Sequence, residues 1–249
     1  MKLKSKILLT AGALGAAAFI VKAMLENKPV ADMLLPAGFT VTAHTGCEGT
    51  KDNSLDAITL GYGNGADIVE FDLNFNADGV PVLSHDKPKG NEVTLDDAFA
   101  LVAGYNGLQV NVDVKNPLDL AMVKALAEKH GIADRFFFTG IGEEWAPIVR
   151  EQTPDIIYYL NTSVDKSRID DKEYICELIN KVKETGAAGL NIHFGSCSRL
   201  MVDMLHAQGL KVSVWTVNKK SAMRKVLTYG CDNITTRNIS DLMSFVRIV

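Results

Sequence analysis

From residue 39 onward, short β-branched or aromatic runs alternate with longer stretches whose apolar positions recur at helical spacing. The runs Phe39–His44, Ile68–Leu73, Leu108–Lys115, Phe136–Thr139, Ile156–Asn161, Leu190–Phe194, Lys211–Val217 and Asn233–Thr236 are bounded by turn residues and predict eight strands. Helices are expected over Ser54–Gly63, Leu95–Ala103, Leu118–His130, Glu143–Glu151, Asp171–Thr185, Ser198–Ala207, Ser221–Thr228 and Ile239–Val246. Asn53 and Thr94 read as N-caps, and Gly131, Gly186, Gly209 and Gly230 as stops. One further extended segment, Val80–His85, follows the second strand after the turn Asn76-Ala77-Asp78-Gly79. Near-continuous apolar strands, each followed by a helix, predict a parallel (β/α)8 barrel of the TIM type over residues 38–249. No GxGxxG or Walker loop is present to suggest a nucleotide-binding open sheet.

The amino terminus follows a different pattern. Lys2, Lys4 and Lys6 precede an unbroken apolar run, Ile7 to Val21, closed by Lys22. A positive flank before an apolar run marks a signal peptide or a signal-anchor, assigned here to residues 1–25, with 26–37 as linker. At ~1.5 Å per residue the run covers about 22 Å, less than the ~30 Å hydrocarbon core. Lysine snorkelling and Ala23-Met24-Leu25 extend it. The positive flank directs the rest of the chain outward, predicting a barrel on the extracytoplasmic face of the cell membrane. Val21 and Ala23 also form a small-x-small cleavage site, the alternative being secretion.

Composition narrows the functional classes. Hydrophobic residues make up 47% of the 249, enough for one sizeable core. A net charge of −4 with no Lys/Arg stripe argues against a nucleic-acid partner. Cys47, Cys176, Cys197 and Cys231 lack paired spacing, so neither a zinc site nor a disulfide framework is expected. No feature sets an oligomeric state.

In a barrel the chemistry gathers at the C-terminal ends of the strands. The first strand ends in His44, and the second in Glu70-Phe71-Asp72, where alternation puts both acids on one face. In the third, Val110, Val112 and Val114 point one way and Asn111, Asp113 and Lys115 the other. The extra segment ends in His85-Asp86. Three inward carboxylates are costly to desolvate unless a positive group offsets them. An ion pair with Lys115 is one answer; an oxygen-liganded Mg²⁺ or Ca²⁺ answers for all three. His130, His193 and His206 read as packed or solvated residues.

These motifs resemble the glycerophosphodiester phosphodiesterase family. His44-Thr45-Gly46, Asp52-Asn53-Ser54, Glu70-Phe71-Asp72 and Asp78-Gly79-Val80-Pro81-Val82-Leu83-Ser84-His85-Asp86 follow that family's His-Arg-Gly, Pro-Glu-Asn-Thr, Glu-x-Asp and Asp-Gly-x-Pro-Val-x-x-His-Asp. Asn111–Lys115 is similar to its third strand, and Trp215-Thr216-Val217-Asn218 to its late Trp-Thr-Val-Asn segment. The resemblance runs through residues 39–241.

It implies that Glu70, Asp72 and Asp113 hold a divalent cation and that His44 and His85 form an acid–base pair. Lys115 would contact phosphate, Asn53 and Trp215 would shape the pocket, and Thr45 would stand where the family's phosphate-binding arginine does. The implied activity is hydrolysis of a small glycerophosphodiester. Thr45 removes a bidentate clamp that lysine does not reproduce. Asp52 replaces a glutamate in a loop one residue shorter, Asp113 replaces a longer glutamate, and the segment between His85 and Leu95 is brief. The alternatives are a non-catalytic phosphodiester-binding or scaffolding barrel, suggested by Thr45, and a phospholipase D-like lyase with much the same constellation.

Overall fold

The computed structural model describes residues 35–246. The expected signal or anchor segment and most of the linker lie outside the described residues. Nine strands form one sheet: β1 Thr40–Ala43, β2 Ile68–Phe75, β3 Pro81–Leu83, β4 Gln109–Val114, β5 Phe136–Ile141, β6 Tyr158–Leu160, β7 Gly189–His193, β8 Lys211–Trp215 and β9 Asn233–Thr236. Eight are parallel and close on themselves, because β1 pairs with both β2 and β9. The ninth, β3, is the extra extended segment, folded back antiparallel on β2 with Leu73 opposite Leu83. The eight-stranded parallel TIM barrel expected from periodicity is present.

The helices are α1 Leu55–Gly63, α2 Leu95–Ala103, α3 Leu120–Lys129, α4 Ala146–Gln152, α5 Lys172–Thr185, α6 Arg199–His206, α7 Lys220–Leu227 and α8 Ile239–Val246. Side-chain caps set several starts: Ser54 accepts from the Ala57 N–H, Thr94 from Asp97 and Asp119 from Met122. Asn53 is therefore not the cap of α1; it has φ +55°, and its side chain bonds Asp72 instead. Helix α4 starts three residues later than expected, with Pro147 in its first turn, where a missing N–H costs no helical bond.

The core lies between strands and helices. Phe99 on α2 is fully buried and packs on Phe71 and Phe136, which meets Phe138 edge-on. Truncating such a ring costs about 3–5 kcal/mol. The inside of the barrel is polar instead. Asn233 donates to the Thr42 hydroxyl at 2.7 Å and accepts from Ser213 at 3.1 Å, linking β1, β8 and β9. Cys197 and Cys231, 34 residues apart, are both buried with their free thiols 3.8 Å apart. No helix among the described residues is long and apolar enough to cross a membrane.

Candidate active site

Strand register assembles the acidic group. Asp72 on β2 lies beside Asp113 on β4, and Glu70 beside Asn111, so the inward faces of two neighbouring strands carry all three carboxylates. One oxygen from each of Glu70, Asp72 and Asp113 lies within 4.8 Å of the others. The Lys115 ammonium reaches Asp72 at 3.1 Å and Asp113 at 2.7 Å, forming the expected ion pair. One lysine faces three acids, and the imbalance shows at Glu70 and Asp113. Burial, then Asp72 and Asp113, pushes the Glu70 carboxyl well above its ordinary range. Burial also raises Asp113 against the pull of Lys115. Lys115 itself would be lowered by burial, but Asp113 and Asp72 hold it above its usual value. A set of buried, oxygen-only, undercompensated donors fits a divalent cation.

A hydrogen-bonded frame holds this group. Asn53 donates to Asp72 Oδ2 at 2.8 Å and accepts from the Asp72 N–H at 2.9 Å. Its own N–H bonds the Thr45 hydroxyl at 2.5 Å, and the Thr45 N–H donates to Glu70 Oε2 at 2.8 Å. Thr139 places its hydroxyl 3.2 Å from Asp113 Oδ1. Gly140, at φ +75°, leaves room there: a Cβ would lie 2.4 Å from the same carboxylate oxygen.

The histidines sit at the edge. His44 Nδ1 lies 2.9 Å from the Thr45 carbonyl, which can only accept, so Nδ1 carries the proton and Nε2 is left as an acceptor. Burial lowers the His44 pKa, with Arg237 adding to that against the carbonyl bond. His85 is exposed, with Nδ1 3.0 Å from Asp86 Oδ1, a bond that holds Asp86 below its usual range.

His44, Thr45, Glu70, Asp72, His85, Asp113, Lys115 and Trp215 all line one cavity of about 560 Å³ at the C-terminal ends of the strands. Asn53 is not on its surface; it works from behind, through Asp72 and Thr45. Thr45 is buried at 3% exposure with its hydroxyl committed to Asn53. His130 and His206 are bonded to Asp96 and Asp232, away from the cavity. Sequence reading missed Thr139, Asn161 and Arg237, which also line it. Arg237 had one usable signal: it directly follows the last barrel strand, where functional residues collect.

No curated protein matches this sequence. Among solved structures, an Oleispira antarctica phosphodiesterase in complex with the product sn-glycerol-3-phosphate superposes with a TM-score of 0.71 at 21% identity, covering 85% of this chain and 97% of that one. A glycerophosphodiester phosphodiesterase from Thermotoga maritima gives 0.62 at 18% identity, covering 84% and 98%. One from Agrobacterium tumefaciens gives 0.66 at 18%, covering 82% and 98%. At these identities the likeness is one of fold. The sequence profile of the glycerophosphoryl diester phosphodiesterase family matches residues 42–101 and 108–240, most of the described barrel, and the chain belongs to that family of phosphoric diester hydrolases.

Proposed function

We propose that this protein hydrolyses glycerophosphodiesters to sn-glycerol 3-phosphate and an alcohol, with one Mg²⁺ or Ca²⁺ held by Glu70, Asp72 and Asp113. The observation that carries the reading is the trio of convergent carboxylates, opposed by a single lysine and bordered by His44. Bound there, the cation would neutralise a phosphate oxygen and acidify a substrate hydroxyl. His44, with Nδ1–H fixed on the Thr45 carbonyl and its pKa lowered, is the base: Nε2 takes the proton of the glycerol hydroxyl next to the phosphate. That oxygen forms a bond to phosphorus as the bond to the alcohol breaks. His85, its ring steadied by Asp86, gives the departing oxygen its proton. Water then opens the cyclic phosphate with the two roles reversed. The Oleispira enzyme's glycerol 3-phosphate complex supports this product. The Lys-flanked apolar run at residues 1–25 supports tethering the barrel outside the cytoplasmic membrane, which cell fractionation with protease accessibility would test.

The deciding experiment is turnover of a panel of glycerophosphodiesters with EDTA, Mg²⁺ or Ca²⁺, with products identified. Cation-dependent release of glycerol 3-phosphate is expected. A cyclic phosphate that accumulates as the end product would instead make the protein a lyase. No turnover with either cation would leave a binding barrel.

A further inference from the structure

A phosphodiester anion must be held beside three carboxylates, two of them buried, and two permanently cationic side chains line the cavity among the described residues, Lys115 and Arg237. Lys115 is already committed to Asp72 and Asp113. Arg237 is placed differently. Its backbone N–H is anchored on Asn218 Oδ1 at 2.9 Å, just past β9. Its side chain crosses to the loop after β1, where Nη1 donates to the Gly46 carbonyl at 3.3 Å and to Asp52 Oδ1 at 2.5 Å. Gly46 makes that crossing possible: at φ +70° its missing Cβ would sit 1.9 Å from Asp52 Oδ1 and 2.5 Å from Nη1.

A guanidinium presents five N–H donors in one plane. Both protein contacts use Nη1, so the other edge, Nε–H with Nη2–H, remains as a parallel fork that matches two phosphate oxygens. The side chain is 35% exposed, open to a ligand. Asp52, more exposed at 56% and also on the cavity wall, holds the guanidinium through Nη1. We propose that Arg237 is the phosphate clamp of this enzyme, its Nε/Nη2 edge gripping the non-bridging oxygens while Asp52 and the Gly46 carbonyl hold Nη1. The assignment rests on the phosphodiester reading above. It also accounts for Thr45, which is buried against Asn53 beside Gly46 and offers no charge: the guanidinium reaches this loop from the other end of the chain.

The test is calorimetric binding of sn-glycerol 3-phosphate to the full chain at saturating cation, with steady-state kinetics alongside. Arg237→Ala should weaken binding about 10- to 100-fold and raise KM similarly. Arg237→Lys should recover little, since a point charge does not form the fork. Cation affinity should stay unchanged in both. Arg237→Gln, closer in shape, serves if the alanine variant does not fold. The proposal is overturned if binding changes by less than about threefold. It is equally overturned if Arg237→Lys binds like wild type, or if cation affinity falls by the same factor as phosphate affinity. Should the wild type bind glycerol 3-phosphate in an Arg237-dependent way yet turn over no glycerophosphodiester, the clamp stands and the hydrolase reading fails.

Discussion

The two sides of the barrel mouth are built on different terms. On the β1, β2 and β4 side stand Glu70, Asp72, Asp113, Lys115 and His44, almost every polar group tied to a neighbour by a short hydrogen bond or ion pair. On the β6, β7 and β8 side, a compartment of about 420 Å³ is lined by Asn161, Thr162, Ser163, Asn191, His193 and Trp215, with no carboxylate. There Asn191 Oδ1 is buried without a hydrogen-bond partner, and Trp215 stands 36% exposed with His193 edge-on to it. The first side concentrates charge in fixed positions, as electrostatic stabilisation of a reacting phosphate requires. The second has a lining without carboxylate, lysine or arginine, suited to contact with the part of a substrate that does not react. Damage to the first should reduce the rate; damage to the second should alter binding.

The largest effects should come from the charged side. His44→Ala and His85→Ala should each lower turnover at least ~10²-fold with the fold retained, measured by circular dichroism and steady-state kinetics. A nitrophenyl leaving group, which needs no proton, should rescue the His85 variant and not the His44 variant. Rescue of the His44 variant alone would exchange the two roles.

The next effect concerns the uncompensated acids. A carboxyl whose folded pKa is raised, as Glu70's is, favours folding fully below its unfolded value of about 4.3, and that contribution is lost as pH rises through the folded value. A bound cation replaces the proton, so its binding stabilises more where the site is deprotonated. The rise in Tm on adding Mg²⁺ or Ca²⁺ to EDTA-treated protein should therefore be larger near about pH 8 than near about pH 5. Glu70→Gln should raise the Tm of the cation-free protein and reduce that rise. Equal cation shifts at both pH values would mean these acids are not the binding site.

The smallest effect belongs to the neutral side. Trp215→Ala should raise KM by about fivefold, the worth of one exposed aromatic contact, while kcat changes by less than about twofold. A fall in kcat as large as that of the histidine variants would erase the distinction between the two sides.

How much of this was legible in the sequence follows from how local each signal is. Strand alternation put Glu70 with Asp72 and Asn111 with Asp113 and Lys115 on common faces, because a side-chain period of two is a property of the strand itself. That these two strands lie side by side, with Asp72 level with Asp113, is decided by sheet register. Asn53 reads as a helix cap because an Asn before a helix is a good cap in isolation. Here Ser54 takes the cap, and Asn53, at positive φ, serves Asp72 from 19 residues away.

By itself, the sequence determined the barrel, the face that Glu70 and Asp72 share and the family, since periodicity and motif spacing are written along the chain. The partner of Arg237 lies 185 residues away, and Cys197 and Cys231 meet across 34. Whether such groups touch depends on closure of the sheet between β9 and β1 and on the packing of the loops above it, so only the tertiary structure decided it. The same holds for which nitrogen of His44 carries the proton. The Thr45 carbonyl settles that by accepting from Nδ1, while the Thr45 N–H and hydroxyl are tied to Glu70 and Asn53.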